Sequence, residues 1–300
     1  MTLENIKTSR PLSFIIITMI YVAAILIGIV VFNLSDSSTF NGYSSAVSDC
    51  VRLFIADFAA TVFVWFFGVL LRNSSVYDPY WSVAPPVMIS GYALYCDVFN
   101  LPVLLLQIAV WYWAIRLTGN WAYTFKSLEV QDWRYDMYKA KFPRLWHLVN
   151  FAGINLMPTI VVFLAMVPAF ILINLGQIAS CHANLWTWAG FFICMAAPTL
   201  QLVADTQAHR FRKAHKGQVC DIGLWSWSRH PNYLGEILMW WGVYVFLLTE
   251  SNPSANLLIP AVGALVNTCL FVFISIPMME KRQLANKPAY AEYRKKVRML

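Results

Sequence analysis

Long apolar stretches alternate with shorter polar ones along the chain. A transmembrane helix needs about 17–25 mainly apolar residues, because each residue advances the helix by only about 1.5 Å across the hydrocarbon layer. Eight stretches come close to or within this range, several of them short or broken by proline, at residues 12–32, 53–71, 81–99, 101–117, 156–175, 185–203, 233–248 and 257–278. The pattern therefore predicts an all-α fold, a polytopic bundle of about seven or eight transmembrane helices.

The composition supports a membrane protein. Of the 300 residues, 59% are hydrophobic and 12% are charged, whereas soluble domains carry about 25% charged residues. A single globule could not hide this much apolar surface, so lipid must cover the remainder.

The distribution of lysine and arginine predicts the orientation. Positive residues stay on the cytosolic side during membrane insertion. The segments that eight spans place inside hold Lys7, Arg10, Arg72, Lys126, Arg134, Lys139, Lys141, Arg144, Arg210, Arg212, Lys213, Lys216, Arg229 and the run from Lys281 to Arg298. The outer loops hold Asp36, Asp49, Asp97 and Glu250, with Arg52 as their one positive residue. We therefore expect a multi-pass protein of a bacterial inner membrane or the endoplasmic reticulum, with both termini cytosolic.

Charge and cysteine content limit the partners. The net charge is +7, but the positive residues lie where the predicted topology requires them. Membrane lipids or a phosphorylated cofactor are therefore better partners than nucleic acid. The six cysteines show no metal-ligand spacing, and we expect no metal site. Cys50, Cys96 and Cys181 fall near outer loops, which leaves a disulfide open, although isolated small hydrophobic residues are favoured.

Two long polar stretches, 121–150 and 205–232, are predicted on the cytosolic side. The aromatic residues of the first predict a helix in the headgroup layer. Its Asp132 and Arg134 are two residues apart, so we expect them not to face each other. The second stretch carries Arg229, His230 and Asn232 directly into the seventh span, where polar groups are costly unless they bind something.

The residues of this second stretch suggest a nucleotide site. Asp205 and Arg212 are two helical turns apart on one face, and Asn232 and Glu236 are four apart on the next helix. Pro231 is suited to start that helix, and a helix N-terminus is suited to phosphate. Arg212, Lys213 and Arg229 would supply the opposing charge.

These motifs resemble a known family. The sequence Arg229-His-Pro-Asn-Tyr-Leu-Gly-Glu236 is similar to the signature of the steroid 5α-reductase-like membrane proteins, in the branch labelled as a domain of unknown function, DUF1295. The same branch's other motifs are Asn73-Ser-Ser-Val-Tyr77-Asp78-Pro-Tyr-Trp81, Arg116 with Asn120-Trp121, Asp132-Trp-Arg-Tyr135, and Glu280 with Pro288-Ala-Tyr290-Ala-Glu-Tyr293. The resemblance runs from about Asp57 to the C-terminus.

The resemblance implies a helix bundle that holds NADPH in a cytosol-facing cavity. The hydride would pass to an activated carbon–carbon double bond of a lipophilic, steroid-, sterol- or isoprenoid-like substrate. The cofactor-binding residues would be Gln201, Asp205, Arg212, Lys213, Arg229, His230, Asn232, Tyr233, Glu236, Tyr290, Tyr293 and Arg294. The chain would be a single membrane domain with an N-terminal span and outer loop (1–52) and a reductase-like core (53–300), whose residues 201–300 bind the cofactor.

The substrate end departs from the family pattern. Trp113 stands three residues before Arg116, where characterised steroid reductases carry tyrosine, and the second span lacks their Gln-Glu pair. A donor must stabilise the negative charge that develops on the conjugated oxygen. Tyr77, Tyr112 and Arg116 are the candidate catalytic donors.

Two other functions stay open. One is an S-adenosylmethionine-dependent membrane methyltransferase of the isoprenylcysteine carboxyl type, which carries a similar Arg-His-Pro turn. The other is a non-catalytic lipid-binding membrane protein. The spacing from Asn232 to Glu236 and the Asp205/Arg212 pair favour the reductase, and the sequence leaves the oligomeric state open.

Overall fold

The computed structural model describes residues 7–35, 45–178, 182–248 and 258–300, and the regular elements in these ranges are all helical. The chain divides into two units. The first consists of residues 1–96 and 117–163, and the second of residues 97–116 and 164–300.

The first unit is built from apolar helices joined by a polar, hydrogen-bonded loop. Its helices are α1 (Arg10–Leu34), α2 (Ser45–Leu70), α3 (Tyr80–Cys96), the end of α4 (Leu101–Thr124) and α5 (Trp133–Lys141). Asn73 caps the short helix Ser74–Tyr77 and donates to the carbonyl oxygens of Leu128 (2.6 Å) and Val130 (3.2 Å). Two motifs far apart in sequence therefore form one folded loop.

The second unit contains the segment with the nucleotide-site residues. It consists of the first part of α4, most of α6 (Met157–Ile178), then α7 (Leu185–Ala214), α8 (Pro231–Leu247), α9 (Leu258–Cys269), α10 (Ile276–Asn286) and α11 (Tyr290–Lys296). Two π-helical segments, Asn150–Leu156 and Leu270–Ser275, lead into α6 and α10.

Small residues let α7 and α8 pack closely. A Cβ at Gly235 would lie 2.4 Å from Cγ of Gln201 and 2.7 Å from the Ala197 carbonyl oxygen, and a Cβ at Gly242 would lie 2.5 Å from Sγ of Cys194. Only a hydrogen fits at these contacts, so both glycines bring polar groups of the two helices within hydrogen-bonding reach.

All eight apolar stretches are helices, which confirms the all-α class. Six helical segments of the described ranges are long and apolar enough to cross a membrane. The other two, α3 and α8, have 17 residues each, the lower end of what a span requires. The protein is a multi-pass integral membrane protein. Its orientation stays a prediction.

Two details differ from the sequence-based expectations. α4 and α7 continue to Thr124 and Ala214, past the predicted ends at 117 and 203. The added part of α4 is held by packing of Trp121 against Phe14 and Phe125, whereas the last residues of α7 are exposed. The expectation for Asp132 and Arg134 was wrong. Asp132 is the extended N-cap of α5, so its carboxylate turns back to accept the Arg134 Nε–H at 2.7 Å.

The described cysteines, Cys50, Cys96, Cys194, Cys220 and Cys269, are free. Cys181 lies outside the described residues, as do Asp36 and Glu250 of the outer loops.

Candidate functional site

Most of the predicted cofactor residues lie in two hydrogen-bonded clusters of the second unit. The Arg116 cluster consists of Trp113, Arg116, Gln201, Asp205, Asn232, Glu236 and Trp240. The Glu280 cluster consists of Arg229, His230, Glu280 and Arg294. Arg212 and Lys213 lie outside these two clusters, at the end of α7, and both are exposed.

The first part of the Arg116 cluster is a buried ion pair. Arg116 Nη2 donates to Oδ2 of Asp205, and the side chains are only 4% and 13% exposed. Asn232 Nδ2 donates to the other carboxylate oxygen of Asp205 at 3.3 Å. Arg116 Nε is also buried and has no hydrogen-bond partner among the described residues. A buried N–H without a partner is costly, so this group is suited to a ligand acceptor.

The second part of the Arg116 cluster is the carboxylate of Glu236, which is buried and accepts three N–H donors. Trp240 Nε1 (2.9 Å) donates to Oε1, while Trp113 Nε1 (2.9 Å) and Gln201 Nε2 (2.8 Å) donate to Oε2. Gln201 also accepts from Arg116 Nη1 at 2.9 Å, which joins the two parts. All three donors come from the protein itself, so the Glu236 carboxylate fixes the positions of the Gln201, Trp113 and Trp240 side chains.

The turn before α8 is anchored to α7 and to the C-terminal segment. Gly223 has a φ of +56°, and Gln207 of α7 accepts the next amide, Leu224 N–H, at 2.9 Å. Trp225 Nε1 donates to the carbonyl oxygen of Ala204 at 2.9 Å, and its own carbonyl accepts the Tyr293 hydroxyl. These bonds fix the entry of α8 and hence the position of Asn232.

In the Glu280 cluster, Arg229 is directed at the protein. Its Nε donates to Glu280 at 2.7 Å, and its Nη1 donates to the carbonyl oxygens of Arg294 and Val297. Burial lowers the pKa of His230, although Glu280 opposes this shift. Arg229 and Arg294 both form ion pairs with the Glu280 carboxylate. This cluster holds the C-terminal segment, including buried Tyr290 and Tyr293, against the start of α8.

Two amides of the first turn of α8 are already bonded within the protein. The Tyr233 amide is bonded to the His230 carbonyl and to Oδ1 of Asn232, both at 3.1 Å, and the Leu234 amide is bonded to the His230 carbonyl at 3.0 Å. A phosphate at this helix end would have to replace Asn232. The exposed side chains of Arg212 and Lys213 are therefore the more accessible positive groups.

The three candidate donors lie in different surroundings. Arg116 belongs to the cluster just described. The Tyr112 hydroxyl is 3.0 Å from Oγ1 of Thr199 in a part-exposed position. Tyr77 lies in the first unit, where its hydroxyl is buried 2.7 Å from Oγ1 of Thr159.

Sequence reasoning missed the roles of three residues. Trp240 lies four residues after Glu236 on the same helix, a spacing that could have identified it. In the sequence, Trp113 is notable only because it occupies the position, three residues before Arg116, where characterised steroid reductases carry a tyrosine. Glu280 marks a motif, but its partner Arg229 is 51 residues away, and no local pattern reveals such a pair.

Comparison with known proteins identifies the family. The family described as "Protein of unknown function (DUF1295)" matches residues 64–297. The chain belongs to the DUF1295 family. The match includes all residues of the Arg116 and Glu280 clusters. An uncharacterized protein of Schizosaccharomyces pombe is 26% identical over 262 residues, which take in 78% of this chain and 74% of the yeast protein. No solved structure matches the chain.

Proposed function

We propose that this DUF1295 protein is an NADPH-dependent membrane oxidoreductase that reduces an activated carbon–carbon double bond of a lipophilic substrate. The observation that carries the proposal is the arrangement along one face of α7. It runs from buried Gln201 and Asp205 to exposed Arg212 and Lys213, so polar groups for a base or sugar are followed by positive charge for phosphate.

The residues present fit a dinucleotide. Asp205 and Asn232 offer an acceptor and an amide of the kind that nicotinamide and ribose require. Arg116 contributes a buried N–H with no partner among the described residues. Arg212 is exposed at the end of α7, where an arginine can form the forked contact that a 2′-phosphate favours. Bound NADPH would supply the hydride.

The chain's own residues would bind the cofactor and orient the groups that contact the substrate. Glu236 would hold Gln201 and Trp113, and through Gln201 it would hold Arg116. Arg116 is the leading candidate to stabilise negative charge on the substrate oxygen, because the guanidinium remains charged when buried. Tyr112 is the second candidate, on the same face of α4 one turn earlier.

The phosphate contact can be tested by equilibrium binding of NADPH and NADH to the purified protein. We expect Arg212→Ala to weaken the binding of NADPH by about tenfold or more and that of NADH much less, since one charge-assisted contact is worth about 1.5–3 kcal/mol. Arg210→Ala is the matched control, because Arg210 is exposed on the same helix but two residues away, on another face. If Arg212→Ala weakened the binding of NADPH and NADH equally, or if Arg210→Ala had the same effect as Arg212→Ala, this role of Arg212 would be contradicted.

A further inference from the structure

A bend that carries three positive side chains lies between α5 and α6 in the first unit. α5 ends at Lys141, and the chain continues through a 3₁₀ turn toward α6. Lys139, Lys141 and Arg144 are all exposed. Nζ of Lys139 lies 6.0 Å from the centre of the Trp146 ring, so the last turn of α5 is close to the chain that follows the 3₁₀ turn. Residues 139–148 are called the basic bend below.

The charges of the basic bend are not balanced by the protein. Within the described ranges, no carboxylate lies within ion-pair distance of its two lysines or its arginine. The acidic residues that precede them in sequence bond elsewhere. Asp132 pairs with Arg134, and Asp136 accepts from the side-chain amide of Gln131. Like charges held close together repel one another, so the basic bend favours an anion.

The basic bend leads directly into a membrane-spanning helix. The helical segment Pro143–Gln177 has 35 residues, which is about 50 Å at 1.5 Å per residue. About 20 residues are enough to cross the hydrocarbon layer. The apolar stretch that would cross it is 156–175, at the far end of this segment. The residues before 156, which include the end of the basic bend, therefore lie at the membrane surface.

Apolar side chains of the basic bend are exposed beside its charges. Leu145 is 56% exposed and Leu148 is 62% exposed. At a membrane surface, such side chains enter the acyl boundary while neighbouring cations stay with the headgroups. A small soluble anion would cover the charges and leave both leucines in water, whereas a lipid can cover both kinds of group.

We propose that the basic bend binds an anionic phospholipid of the surrounding bilayer. Its phosphate would contact Lys139, Lys141 and Arg144, and its acyl chains would cover Leu145 and Leu148. An arginine can donate to two phosphate oxygens at once, and each lysine adds a point charge. The site consists of residues of the first unit alone and does not depend on the proposed binding of NADPH.

The experiment is photocrosslinking of the purified full-length protein in phosphatidylcholine nanodiscs. The probes are phosphatidylglycerol and phosphatidylcholine with the same diazirine near the top of one acyl chain, and mass spectrometry identifies the labelled peptides. We expect phosphatidylglycerol to label peptides of the basic bend about fivefold or more over phosphatidylcholine, since each Lys or Arg at an anionic surface strengthens binding about fivefold. An excess of glycerol 3-phosphate should not reduce this labelling. Competition by it would indicate a site for soluble phosphate and would overturn the proposal.

Two matched variants locate the preference. The test variant replaces the three cations of the basic bend and should label equally with both probes: Lys139→Gln, Lys141→Gln and Arg144→Gln. The control variant replaces three exposed lysines of the second unit and should keep the wild-type preference: Lys216→Gln, Lys281→Gln and Lys296→Gln. All six side chains are exposed, so unfolding temperatures should match the wild type. Equal labelling by both probes in the wild-type protein, or an unchanged preference in the test variant, would overturn the proposal.

Discussion

The ion pair between Arg116 and Asp205 gives the sharpest prediction about the second unit. Replacing Asp205 with leucine leaves the Arg116 guanidinium, 4% exposed, without its carboxylate partner. Removing one member of a buried ion pair costs about 3–5 kcal/mol of stability. We therefore expect Asp205→Leu to lower the unfolding temperature of the detergent-solubilised protein by several degrees or more.

The double variant separates stability from binding. Arg116→Met together with Asp205→Leu replaces two charges with apolar side chains of similar size, which is often close to neutral. We expect it to recover most of the lost stability, yet to bind NADPH no better than Asp205→Leu alone. Thermal unfolding and nucleotide titration of the four proteins complete a double-mutant cycle. The reasoning is refuted if Asp205→Leu unfolds at the wild-type temperature, or if the double variant is less stable than either single one.

Three further predictions concern packing, the C-terminal segment and pH. Gly235→Ala should lower the unfolding temperature because its methyl group would overlap Gln201 and the backbone of α7, whereas Gly119→Ala, with no atom within 4 Å, should not; thermal unfolding compares them. Glu280→Gln should speed limited proteolysis of the C-terminal segment, while Glu292→Gln, in an exposed pair, should leave it unchanged; equal cleavage rates would contradict this. Burial raises the pKa of Asp78 to about 6, although the Tyr135 hydroxyl opposes the shift. A raised carboxyl pKa contributes stability below about pH 4 that is lost as pH rises through about 6, so the unfolding temperature should fall across that range, and Asp78→Asn should flatten the fall.

The helices could be predicted from the sequence because hydrophobicity is a local property. Each of the eight apolar stretches is a helix, and the errors concern their ends. α7 continues for three turns past its apolar part because it ends in water, where charged side chains are solvated. The cap at Asp132 was missed because an N-cap residue is not helical, so the helical spacing rule does not apply to it.

The site could be predicted only in part. Asp205, Asn232 and Glu236 lie within 31 residues of one another and form one cluster with Gln201. Arg116 joins them from another helix 89 residues away, a contact that depends on how α4 packs against α7.

The measurement that tests the central claim most directly is identification of the nucleotide retained by the protein after gentle detergent extraction. Mass spectrometry of the released small molecules should detect NADP(H) from the wild-type protein and much less from Asp205→Leu together with Arg116→Met. Recovery of S-adenosylmethionine or its demethylated product would instead support a methyltransferase. A protein that is folded, retains no nucleotide and does not bind added NADPH would contradict the account.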